Sequence, residues 1–179
     1  MSDAAAAPVA TRPPVALYVH VPFCVSLCPY CDFVVYAGAM ARGPAARVDA
    51  FTEALLAEIA LRADMTDAAF GRDREPLRSV YLGGGTPTLL ASASLASILD
   101  LVRSRFGIAG GAEVTVESNP GPDERGTATA LVAAGVNRLS LGAQAFDTNL
   151  LRRLGRRHRP EHVEEAVREA REAGIGSVS

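Results

Sequence analysis

Cys24, Cys28 and Cys31 fall within eight residues, separated by three and then two others. Three thiolates so spaced can converge on one metal centre from a single loop. Thiolates favour iron–sulfur clusters and zinc. A structural zinc needs a fourth protein ligand. The chain has no further cysteine, and His20 is the nearest alternative. Three cysteines on a four-iron cluster leave one iron without a protein ligand, and an open iron can bind a small molecule. An iron–sulfur site, the favoured reading, would thus be chemical; a zinc site would be structural, and three buried thiols are the least favoured reading. An odd, clustered set of cysteines does not form a disulfide framework.

Other segments carry polar or glycine-rich signals. Gly83, Gly84 and Gly85, followed by Thr86-Pro87, let backbone approach a ligand closely, or simply turn a strand into a helix. They are neither a Walker loop nor a Gly-x-Gly-x-x-Gly turn. Glu117 precedes Asn119-Pro120 and can hold ribose hydroxyls, as acidic residues do in nucleotide sites, or cap a helix. Gln144 offers hydrogen bonds of no particular specificity. Arg152, Arg153, Arg156, Arg157 and Arg159 form a basic run that reads as a solvated face, though one of them can turn inward to clamp a carboxylate. His20, His158 and His162 read as structural or surface residues.

These signals need positions, and the apolar pattern supplies them. Residues 15–21, 79–82, 113–117 and 136–141 are apolar and β-branched runs that predict strands. Val48, Phe51, Leu55 and Ile59 recur at helical spacing within 47–62. Further helices are predicted over 92–106, from the cap Asp123 to Ala134, over 148–154, and from Pro160 to Gly174. Residues 175–179 begin a fifth strand. Strict β-α alternation implies a parallel sheet with right-handed crossovers, either a barrel or an open doubly wound sheet. In such folds the site lies at the carboxyl ends of the strands. The cysteines follow the first strand, the glycines the second, Glu117 ends the third, and Gln144 follows the fourth. The last strand has no helix after it, so the chain reads as a fragment of a larger fold.

Composition narrows the function further. Of 179 residues 49% are hydrophobic, enough for a real core. All 18 basic residues are Arg, which excludes a Lys Schiff base or a P-loop Lys within this chain. A net charge of −2 and 6% aromatic residues argue against a nucleic-acid partner held by a bulk positive field or a stacking platform. Residues 1–14 read as a disordered Ala- and Pro-rich leader, not a signal peptide, and no apolar run reaches the length of a membrane span. A cytoplasmic location follows as the expectation.

The residues also resemble a known family. Tyr18-Val-His-Val-Pro-Phe-Cys-Val-Ser-Leu-Cys-Pro-Tyr-Cys-Asp-Phe33 resembles the cluster loop of radical S-adenosylmethionine (SAM) enzymes. More narrowly, it resembles the branch that holds oxygen-independent coproporphyrinogen III oxidase and the HemW-type haem chaperones. Gly83-Gly-Gly-Thr-Pro-Thr88, Glu117-Ser-Asn-Pro-Gly121, the run from Gly135 to Phe146 and the run from Leu150 to His158 resemble further blocks of that branch. The resemblance covers Val15 to the end. It implies a partial (β/α)6 barrel, residues 15–179 being the N-terminal part of the core. Cys24, Cys28 and Cys31 are implied as [4Fe-4S] ligands, and Tyr18 and Tyr30 as lining the cofactor pocket. Gly84, Gly85 and Thr86 resemble the turn that meets the amino end of SAM, Glu117 the ribose-binding acid, and Gln144 and Arg156 further cofactor contacts. In the family, an electron from the cluster cleaves SAM into methionine and a 5′-deoxyadenosyl radical.

One departure separates the two subfamilies. The oxidases usually carry a fourth cysteine two positions after the third, where this chain has Phe33. That implies the chaperone type, with haem, haem-receiving proteins and a reductant such as flavodoxin or ferredoxin as partners. The alternative is an oxidase converting coproporphyrinogen III to protoporphyrinogen IX. A zinc-stapled domain without catalysis is the third reading.

Overall fold

Alternation of apolar and polar residues drives the first strand, β1 (Ala16–Val21), in which Val19 and Val21 are buried. The structure, a computed structural model, describes residues 12–43 and 46–179. The expected leader therefore lies, but for its last three residues, outside the described residues. Two short strands follow, β2 (Phe23–Cys24) and β3 (Tyr36–Ala37), which pair with each other. Then come α1 (Val48–Phe70), β4 (Leu77–Gly84), α2 (Ser92–Phe106), β5 (Ile108–Ser118), α3 (Ala128–Ala133) and β6 (Arg138–Leu141). The helices α4 (Thr148–Arg153) and α5 (Pro160–Ala173) precede β7 (Ser177–Val178).

β1, β4, β5, β6 and β7 form one parallel sheet in that order. Sequential order without reversal is barrel winding; a doubly wound sheet would reverse direction at its centre. The helices agree. α1 packs on α2, α2 on α3 and α3 on α5, so consecutive helices lie side by side over the sheet. The fold is an open, partial (β/α) barrel.

Register explains which residues face the helices. Val19, Leu82, Val116, Leu139 and Val178 stand side by side across all five strands. The first four of these are buried, packed with Ile98, Leu99 and Val102 of α2 in one core. The row one residue earlier is Tyr18, Tyr81, Thr115, Arg138 and Ser177. Successive strand residues point to opposite faces, so one face of the sheet is apolar and the other polar.

Several boundaries differ from expectation. α1 runs eight residues beyond Arg62, because Ala63, Met65, Ala68 and Ala69 favour helix. Asp67, near its end, is gripped by Arg74 and approached by Arg105 of α2. Asp123 caps no helix; α3 begins after Thr127. The intervening segment is a tight turn, with Glu124 N–H bonded to the Gly121 carbonyl and the Glu124 side chain buried. The brace of β2 on β3 has no periodic signal in so few residues.

Leu82 sits at the centre of the apolar row and is fully buried. Leu82→Ala is expected to cost about 2–5 kcal/mol of unfolding free energy, measured by denaturant titration. A neutral result would show that this row is not the core.

Candidate cofactor site

Pro22 stops β1, and the cysteine loop starts there. β2 carries Cys24, and its pairing with β3 closes the loop, helped by Tyr36 N–H on the Pro22 carbonyl at 2.6 Å. A turn bonds Cys31 N–H to the Cys28 carbonyl at 3.0 Å. His20 ties this loop to the sheet. Its Nε2 lies 2.9 Å from the Val34 carbonyl and its Nδ1 2.9 Å from the Tyr18 hydroxyl. A carbonyl only accepts, so Nε2 carries the proton and Nδ1 accepts from Tyr18. With both ring nitrogens engaged, His20 is not free to be a fourth zinc ligand.

The glycines are required by close packing. Gly84 has φ +109°, and a Cβ there would lie 2.4 Å from the His20 ring. A Cβ on Gly85 would lie 2.5 Å from the Phe23 carbonyl oxygen. The N–H groups of this turn are engaged within the protein: Gly84 with Glu117 Oε2, Gly85 with Val21 O and Thr86 with Phe23 O. The turn can therefore offer a ligand carbonyl oxygen, an acceptor suited to an amino group.

Glu117 is neither a cap nor a surface charge. Its Oε1 accepts from the Tyr81 hydroxyl at 2.6 Å and its Oε2 from Gly84 N–H at 2.9 Å. A carboxylate has about four acceptor positions, so both oxygens retain capacity toward hydroxyl donors. Burial and this carboxylate push the Tyr81 phenol up, which keeps it a donor.

Arg156 is the arginine of the basic run that turns inward; Arg152, Arg153, Arg157 and Arg159 are exposed. Its Nη2 donates to Asn119 Oδ1 and to the Gly142 carbonyl, the latter at 2.6 Å. Its Nη1 reaches Cys28 Sγ at 3.6 Å and the Tyr30 hydroxyl at 3.5 Å. Its buried Nε has no hydrogen-bond partner among the described residues. A buried donor left unpaired costs about 1–3 kcal/mol, and an anionic ligand would relieve it.

These groups line one cavity of about 260 Å³ at the carboxyl ends of the strands. Cys24, Cys28, Cys31 and Tyr30 form the loop side of its wall. Gly84, Gly85, Thr86, Glu117, Gln144 and Arg156 form the sheet side. Gln144 has φ +62°, the one positive value outside glycine among the described residues. Such strain persists where surrounding structure enforces it and concentrates at functional sites. Tyr18 is placed elsewhere. It lines a neighbouring hollow beside α1, stacks on Tyr81 at 6.1 Å between ring centroids, and acts on the site through His20. His20, Tyr81 and Asn119 complete the site without having been singled out as its members. Their roles come from cross-strand register and loop closure; the histidine within Tyr18-Val-His20 and the asparagine within Glu117-Ser-Asn-Pro-Gly121 are the available signals.

The donor set fits a cluster. Three thiols line one wall of the cavity, and thiolates favour iron–sulfur clusters. A cluster takes each thiolate on a different iron. Burial pushes the Cys24 thiol up, and the Thr86 hydrogen bond partly offsets this.

Residues 18–179 match the family described as the radical SAM superfamily. The chain belongs to that superfamily. Radical SAM members are characterised by a [4Fe-4S] cluster and SAM. Among curated relatives, the chain is 39% identical over 165 residues to the heme chaperone HemW of Escherichia coli, covering 92% of this chain and 41% of that protein. It is 39% identical over 166 residues to HemW of Mycobacterium tuberculosis, covering 93% and 40%. Among solved structures it is similar to coproporphyrinogen III oxidase (HemN) from Escherichia coli, described as a radical SAM enzyme. That match has a TM-score of 0.79 and 31% identity, covering 93% of this chain and 36% of that one. The chain thus spans well under half the length of these relatives. No described helix is long and apolar enough to cross a membrane.

His158 is buried, with Nε2–H on the Ala143 carbonyl at 3.0 Å. Burial holds its pKa below the usual 6.5, so it is neutral at pH 7. A lowered histidine pKa contributes stability above the unfolded value and loses it as pH falls through the folded value. Thermal stability is expected to fall as pH drops below about 6.5, with a shallower fall in His158→Gln. Parallel melting curves for the two proteins would contradict this.

Proposed function

We propose that Cys24, Cys28 and Cys31 hold a [4Fe-4S] cluster, leaving one iron for SAM, in a protein that binds and delivers haem. The observation that carries the reading is the cavity itself. Three thiols and no fourth sulfur share its wall with carbonyl-presenting glycines, a two-oxygen acid and a partnerless buried Arg156 Nε. When bound there, the cluster supplies the electron for reductive cleavage of SAM.

The residues of this chain would divide the ligand among them. The Gly84–Gly85 turn accepts from the amino group, beside Thr86. Arg156 offers Nε–H to the carboxylate. Glu117 takes ribose hydroxyls on its remaining lone pairs, held in place by Tyr81 and Gly84 N–H. Tyr30 and Gln144 border the same space. Tyr18 supports the loop and does not touch the ligand. Residues 15–179 are, in this reading, the N-terminal part of the core domain.

The chaperone reading is supported by Phe33, two residues after Cys31. It lines the cavity and is 68% exposed, so no fourth thiol stands there. It is also supported by the relatives named heme chaperone. Haem, haem-receiving proteins and a flavodoxin- or ferredoxin-like reductant are its partners, and the reducing cytoplasm suits three free thiols. The second reading, an oxygen-independent coproporphyrinogen III oxidase, is favoured by the likeness to HemN.

An anaerobic assay with the full-length protein separates them. Haem should bind stoichiometrically, shown by a Soret shift, and pass to an apo-haemoprotein. Coproporphyrinogen III, SAM and reductant should give no protoporphyrinogen IX. Turnover to that product would overturn the chaperone reading in favour of the oxidase.

A further inference from the structure

Two of the three cysteine sulfurs receive hydrogen bonds from side chains. Thr86 Oγ1 lies 3.8 Å from Cys24 Sγ, and Arg156 Nη1 lies 3.6 Å from Cys28 Sγ. The two donors come from different segments of the chain, one after β4 and one after α4. Both are held by one residue, Asn119.

The amide of Asn119 has its ends fixed by its partners. Arg156 can only donate, so the oxygen faces Arg156 Nη2. Glu124, when ionised, can only accept, so the nitrogen faces Glu124 Oε1 at 3.1 Å. The second amide hydrogen goes to Thr86 Oγ1, also at 3.1 Å. This decides what Thr86 does. Its hydroxyl accepts from Asn119, and its single proton is left for Cys24 Sγ. Thr86 is 1% exposed, so water does not compete for that proton.

We infer that Asn119 is a positioning residue that aims the Thr86 and Arg156 donors at the Cys24 and Cys28 sulfurs and thereby raises the reduction potential of the cluster they hold. The inference rests on the cluster assignment made above. Reduction adds one electron, from an external low-potential reductant, to the cluster and its thiolates. The extra negative charge is stabilised by donors directed at sulfur, so hydrogen bonds to the ligands shift the potential upward.

The test is a redox titration of the full-length, reconstituted protein without SAM, followed by EPR. Thr86→Val removes the proton at nearly constant volume; Thr86→Ser keeps it. Asn119→Ala touches no cysteine but removes the bond that orients the Thr86 hydroxyl and one of the two that hold Arg156 Nη2. The expected result is a midpoint shifted negative in T86V and N119A, and close to wild type in T86S. An unchanged midpoint in T86V, with iron and sulfide content intact, would overturn the Thr86 donor. A shift in T86V with none in N119A would overturn the positioning role. Should T86V fail to assemble its cluster, N119A decides alone. A wild-type protein that holds no cluster would overturn the proposed function, and this inference with it; unchanged midpoints on intact clusters would overturn this inference alone.

Discussion

Parallel pairing in one register over the carboxyl halves of the strands, from Ser79 of β4 onward, is the constraint from which the site follows. Val19, Leu82, Val116 and Leu139 must lie side by side to bury their apolar faces on α2 and its neighbours. A slip of one residue would turn every one of them to the polar face. Once that row is set, the strands end together. His20 then stands beside Gly83, and Glu117 beside Ser140, so the loops that follow open into one space. The cavity is a product of sheet register more than of any single loop.

Close packing then makes the polar groups specific. The His20 ring occupies the space a side chain on Gly84 would need, and the same ring secures the cysteine loop through Val34. Gly84 N–H holds Glu117, which Tyr81 holds from the other side. Asn119 links Thr86, Glu124 and Arg156 across the floor. Glu117, Thr86 and Arg156 are thus each fixed by partners within the protein. The buried Arg156 Nε is the exception, and an unpaired donor in such a network marks where a ligand's acceptor belongs.

Much of this was legible in the residues. The alternation in 16–21 and the helical spacing after Val48 are strong periodic signals, and the strand ends carried cysteine, glycine, acid and amide where the site was found. Barrel and doubly wound sheet could not be told apart, because periodicity is local and strand order is a property of the whole sheet. The start of α3 was misjudged because Asp123 has the chemistry of a cap, while burial of Glu124 against Asn119 holds that segment in a turn. Tyr18 shares the polar face with Glu117 but stands one row further from the strand ends, beside a neighbouring hollow, and a motif resemblance does not encode which hollow a side chain enters. His20 and Asn119 were hidden because their contacts span long sequence separations, 14 residues to Val34 and 37 to Arg156.

The central claim is that three thiols hold a cluster with one iron open to SAM. The most direct measurement is EPR of the anaerobically reconstituted, reduced protein, recorded before and after adding SAM. A [4Fe-4S]⁺ signal whose g-values change on adding SAM is the expected result. A cluster signal indifferent to SAM, or bound zinc in place of iron and sulfide, would contradict it.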